Sequence, residues 1–110
     1  MQLKGKIVLI PFPFTDLTAT KLRPALVLYD AEKDVVVAFI SSRTQKQKPA
    51  DIKVDTKHHE FKQTGPKLTS LIKLDKIATI SKELIIGEIG EIGAKLKEEI
   101  NRKIAQMYCF

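Results

Sequence analysis

Apolar residues along this chain come in short runs broken by polar or turn-forming segments, and only the C-terminal end changes rhythm. Ile7 to Phe14 reads IVLIPFPF, a β-branched run that suits a strand, with Pro11 and Pro13 confining its far end to a sheet edge or loop. The segment TDLTATK, from Thr15 to Lys21, then reads as a loop. Arg23-Pro24 opens ALVLYD, and DVVVAFISS follows from Asp34; both are too short and too β-branched for helices, and the AEKD turn joins them as two central strands. RTQKQKPA, from Arg43 to Ala50, holds three positive charges and predicts an exposed loop. DIKVD alternates over residues 51–55 like a half-exposed strand, THHEFKQTGPK turns the chain back, and LTSLIKLDKIATI supplies a further core strand. Ser81 is placed to cap a single turn, SKEL, before a last strand, LIIGEIG.

From about Gly93 the period becomes helical. Ile92, Leu96, Ile100, Ile104 and Met107 recur at steps of three and four, with Glu98–Arg102 and Glu99–Lys103 oriented as (i, i+4) ion pairs on the other side. Five or six short strands followed by one helix predict a mainly β fold: a small, strongly bent sheet, closed or nearly closed into a barrel, with a C-terminal helix packed on it.

The 110 residues fit a single domain spanning 1–110. With 44% hydrophobic and 29% charged residues the chain reads as an ordinary globule rather than a disordered one. No apolar stretch approaches the roughly 20 residues of a bilayer span, and MQLKGKIVLI does not resemble a signal peptide, so the expectation is no membrane association and a cytoplasmic location. The lone cysteine, Cys109, suits a reducing compartment.

Charge adds a direction. The net value is +6, but between Arg43 and Lys76 nine Lys or Arg face four acids, an excess of five, while the rest is nearly neutral. A concentrated basic surface captures polyanions, which points to RNA, DNA or an acidic protein.

Four segments in order, KIVLIPFPFTD, KLRPALVL, VVVAFISS and FKQTGPKLTSLIKLDKIATI, resemble the MazF/PemK toxins of toxin-antitoxin systems, and the match covers nearly the whole chain. The resemblance implies a Src-homology-3-type, CcdB/PemK-like barrel, a two-fold homodimer, and an endoribonuclease that cuts single-stranded RNA with neither metal nor cofactor until an acidic antitoxin neutralises it. Two departures stand out: Lys6 replaces an acidic residue common after the glycine, and Ser41 stands where many members carry Thr, which keeps the hydroxyl.

Metal-free cleavage uses the RNA's own 2′-hydroxyl as nucleophile, so the protein must move two protons and stabilise charge on the phosphoryl oxygens. Arginine suits the last task because its planar fork stays charged and holds two oxygens. Arg23 is one of three arginines beside sixteen lysines. By spacing it could equally be a surface residue at the start of a strand; the resemblance makes it the main catalytic residue and gives Ser41 the hydroxyl position. Lys73 and Asp75, two apart on one strand, read as sharing a face and serve either for proton transfer and substrate contact or as a surface ion pair. Phe14 offers a ring for stacking, and Thr20, Lys21, Arg43, Gln45 and Lys48 lie in the flanking loops as candidates for RNA contact. His58 and His59, the only histidines, fall outside the resembling motif, and no Cys/His/Asp cluster has metal-ligand spacing. The alternative is a non-catalytic barrel of the same family that binds RNA or a protein target such as gyrase.

Overall fold

The computed structural model describes residues 2–12 and 21–110. Six antiparallel strands form one sheet: β1 (Lys6–Phe12), β2 (Lys21–Asp30), β3 (Asp34–Ser41), β4 (Asp51–Val54), β5 (Ser70–Ser81) and β6 (Gly87–Glu91), in the order β4-β5-β3-β2-β1-β6. A short helix, α1 (Phe61–Thr64), lies between β4 and β5, and the long α2 (Ala94–Tyr108) ends the fold. The curled, open sheet with its terminal helix matches the expected architecture, with ladders ending at β4 and β6 rather than closing a full barrel.

Strand alternation gives the sheet two apolar faces. One carries Ile7, Leu26, Ala38, Ile40, Ile52 and Ile72 and packs beneath Leu96 and Ile100 of α2. The other carries Val8, Ile10, Ala25, Val27, Val35, Val37 and Ile80, with Leu3, Leu84 and Ile85 packed against them. The helical period thus matches the face of α2 that packs on the sheet, and Ser81 does cap its turn, accepting the amide of Glu83 at 3.2 Å. The Glu98–Arg102 pair forms at 3.0 Å, whereas Glu99 faces His58 at 3.9 Å.

Three differences from the sequence reading matter. Lys21 opens β2 instead of closing a loop, because residues 21–24 pair with β1 through Phe12↔Lys21 to Leu9↔Pro24. The THHEFKQTGPK segment contains α1, whose Gly65 cap takes φ +105, a left-handed conformation that favours glycine. Strand β5 is also not regular. Ala38 pairs with Ile77 and Phe39 with Lys73, so Leu74, Asp75 and Lys76 bulge out opposite a single step of β3.

Candidate functional site

The site begins where a ladder stops. Pro24 has no N–H to give, and the β2–β3 pairing starts only after it, at Ala25↔Phe39. Residues 21–24 consequently pair with β1 alone, while β3 continues to Ser41 by pairing with β5. A gap opens between the two strands at this end. Cross-strand partners share a face, so the registers Ile10↔Arg23, Ala25↔Phe39, Phe39↔Lys73 and Asp51↔Lys73 place Arg23, Phe39, Lys73 and Asp51 on the face of Val8 and Ile10, with Ser41 two residues beyond Phe39. The polar site is thus the continuation of the second apolar cluster.

An open cavity of about 370 Å³ occupies the gap, lined by Arg23, Phe39, Ile40, Ser41, Arg43, Lys73 and Lys76. Among the described residues four cations converge there and no carboxylate lines it. The Arg23 guanidinium is exposed and pairs with no carboxylate among the described residues. The Ser41 hydroxyl oxygen accepts the Arg43 amide at 3.1 Å, which fixes the turn out of β3 and leaves its own proton free to donate. Such an arrangement suits an anion with several oxygens: a fork from arginine, point charges from lysines, and a neutral donor.

The bulge in β5 separates Lys73 from Asp75, which are not partners. Lys73 Nζ lies 3.3 Å from Asp51 Oδ2, and Asp75 Oδ2 accepts from Lys48 Nζ at 2.5 Å. The Lys48 ammonium holds the Asp75 carboxyl below its ordinary value, and that carboxylate in turn raises the Lys48 pKa. The Lys48 amide also donates to Asp51 Oδ2 at 2.9 Å, so the basic 43–50 segment is pinned at its far end to both β4 and the bulge.

Of the residues proposed from sequence, the cavity gathers Arg23, Ser41, Arg43 and Lys73. Lys21 and Gln45 are exposed and do not line it, Lys48 is held by Asp75, and Phe14 and Thr20 lie outside the described residues. Phe39, Lys76 and Asp51 were missed. Phe39 and Asp51 gave no local signal, since a Phe in an apolar run reads as core and an Asp in an alternating run reads as surface. Lys76 was hidden by the bulge. His58 instead packs toward α2: its Nδ1 accepts the Glu60 amide at 3.1 Å, and its ring stacks on His59 with centroids 5.0 Å apart. Among the described residues no group of three His, Cys, Asp or Glu is arranged to hold a metal, and no helix is long and apolar enough to cross a membrane.

The sequence profile of the "PemK-like, MazF-like toxin of type II toxin-antitoxin system" family matches residues 3–108. The chain belongs to this toxin family. Solved MazF-type structures share its fold: Mycobacterium tuberculosis toxin MazF-mt6 superposes with a TM-score of 0.72 at 20% identity, over 92% of this chain and 93% of that one. MazF from Deinococcus radiodurans gives 0.70 at 17% identity over 99% and 97%. An endoribonuclease in complex with its cognate antitoxin, from a mycobacterial species, gives 0.69 at 19% identity over 96% and 93%. No curated protein matches the chain at a significant level. The MazF-like assignment covers both the sheet and α2, and so includes every residue lining the cavity.

Proposed function

We propose that this MazF/PemK-family chain is an endoribonuclease toxin that cuts single-stranded RNA through attack of the 2′-hydroxyl on the adjacent phosphorus. The observation that carries the reading is the convergence of Arg23, Ser41, Arg43, Lys73 and Lys76 on one cavity beside the Phe39 ring. Arg23 holds two phosphoryl oxygens and takes up the charge that grows on them, and the Ser41 hydroxyl donates to one of the same oxygens. Lys73 is within the cavity to neutralise or protonate the leaving 5′-oxygen. The 2′-oxygen gives its proton to solvent as it bonds to phosphorus, the 5′-oxygen bond breaks, and the leaving oxygen takes a proton from the Lys73 ammonium, which solvent restores; the products are a 2′,3′-cyclic phosphate and a 5′-hydroxyl. None of these roles requires a metal.

Incubation of the purified protein with a long mixed-sequence RNA in EDTA, followed by end mapping, tests this. Cyclic phosphate and 5′-hydroxyl ends at a restricted set of sites are expected. Binding without cleavage would favour the alternative, a barrel that holds RNA but does not cut it.

The same reading includes a homodimer in the cytoplasm and an acidic antitoxin segment as partner. A groove of about 540 Å³ between β2 and α2, lined by Leu26, Leu28, Ile100 and Ile104 among others, supports an association face next to the helix. Sedimentation at micromolar concentration is expected to give twice the 12.4 kDa of one chain. The mycobacterial neighbour bound to its antitoxin supports the partner class, and the excess of five positive charges between Arg43 and Lys76 supports its acidity.

A further inference from the structure

Asp51 opens β4 at the edge of the sheet, and its side chain is 0% exposed. It stands in a row with Lys73 and Phe39 across three strands, on the face that carries the cavity. Its Oδ2 lies 3.3 Å from Lys73 Nζ and accepts the Lys48 amide, while Oδ1 is buried with no hydrogen-bond partner among the described residues. Lys73 is 19% exposed in its side chain and lines the cavity.

A buried carboxylate with one oxygen unsatisfied is a poor way to stabilise a sheet, since a buried ion pair often gives no more than an apolar pair of the same volume. Its value lies in placement. A lysine ammonium sits on a flexible four-carbon stem and is strongly hydrated, so an unanchored Lys73 would extend into solvent. We propose that Asp51 is a positioning residue that holds the Lys73 ammonium in the cavity shared with Arg23 and Ser41. The inference rests on the ribonuclease reading for the role of Lys73, but the Asp51–Lys73 coupling can be measured without it.

Asp51→Asn keeps an oxygen for the Lys48 amide and removes only the charge. Thermal melts of Asp51→Asn, Lys73→Met and the double variant measure the coupling. Asp51→Asn is expected to lower Tm in the wild-type background and to raise it in Lys73→Met, where it removes a buried carboxylate stripped of its cation; equal changes in both backgrounds would overturn the proposal. In cleavage, Asp51→Asn is expected to cost on the order of 10- to 100-fold in kcat/KM, as misplacement of a reacting group does. The double variant should be no slower than Lys73→Met alone. An unchanged rate for Asp51→Asn, or losses that multiply, would sink it while leaving the ribonuclease reading intact. If the wild type leaves RNA whole, that reading is what fails. Affinity for a mixed-sequence 2′-O-methyl oligoribonucleotide then decides: weaker binding by Asp51→Asn, again without further loss in Lys73→Met, supports positioning, and unchanged or absent binding refutes it.

Discussion

The carboxylate of Glu60 closes the N-terminus of α2 over Gly93, accepting the amides of Gly93, Lys95 and Leu96 at 3.0, 2.8 and 3.1 Å. A Cβ at residue 93 would lie 2.5 Å from the carboxyl carbon, so the cap and the glycine require one another.

Glu60→Gln is therefore expected to destabilise the fold by about 1–2 kcal/mol, the usual cost of a lost N-cap, and Gly93→Ala by at least as much through displacement of the same group. Burial raises the Glu60 pKa, but the three backbone N–H donors outweigh it and hold the carboxyl below its ordinary value. A depressed folded pKa adds stability above the unfolded value of about 4.3 and loses it as pH falls through the folded one. Melting curves from neutral pH to pH 3 should show a steeper acid loss for wild type than for Glu60→Gln.

Arg23→Ala should lower RNA cleavage on the order of 10²–10³-fold, as removal of one donor to a developing oxyanion does. Arg23→Lys should also be slow, because a single ammonium replaces a two-pronged fork. Since Arg23 is exposed beyond the end of the β2–β3 ladder, stability should change by less than about 0.5 kcal/mol. Wild-type rates in the Ala variant would refute the assignment.

Arg43 and Lys76 line the cavity without an ion-pair partner among the described residues. Replacing both with Gln should weaken binding of single-stranded RNA irrespective of sequence. The dependence of log K on log salt should flatten by about 1.4, at roughly 0.7 per lost phosphate contact. The same variant should lose affinity for an acidic antitoxin peptide if that segment lies over the cavity, and keep it if the peptide uses the groove beside α2.

Asp75→Asn should loosen the basic segment while leaving the Lys48 amide bonded to Asp51. The Lys48–Asp75 contact depends on a carboxylate with a depressed pKa and an ammonium with a raised one. It should hold from about pH 5 to beyond pH 10, failing in acid as Asp75 protonates and in strong base as Lys48 loses its proton. Amide exchange protection over residues 43–50, taken relative to the intrinsic rate, should fall in Asp75→Asn at neutral pH and change no further on acidification, whereas wild type should lose it only as pH falls below the ordinary carboxylate value of about 3.9.

The main elements were legible because they rest on local pattern. The period of Ile92, Leu96, Ile100 and Ile104 specifies which face of α2 meets the sheet, and the β-branched runs specify the strands. Arg23 and Ser41 were singled out through the family resemblance, and the structure brings both to one cavity; that the β2–β3 ladder ends beside them shows only in the strand register. What stayed hidden depends on contacts between distant segments. Glu60 reads as a loop acid until α2 is brought over it, and Asp51 reads as the polar side of an edge strand until Lys48 and Lys73 cover it. The pairing expected for Lys73 with Asp75 assumed an uninterrupted alternation, which β5 does not keep.

That break in β5 has a consequence for how the segment tolerates changes of length. Its pairing with β3 slips by three residues, an odd number, so Lys73 and Ile77 face opposite sides although four positions apart. The half of β5 that carries Ile72 into the core and Lys73 into the cavity is therefore phased against the other half by parity. Losing one residue from 74–76 would leave Lys73 and Ile77 three positions apart, and losing all three would leave them adjacent; plain alternation then puts them on opposite sides, as their partners Phe39 and Ala38 require. Losing two would leave a single extra residue, an ordinary bulge that keeps the same two pairs. Deletions at 74–76 are thus taken up by the bulge and reshape the cavity wall at Lys76, while Ile72 and Lys73 keep their faces.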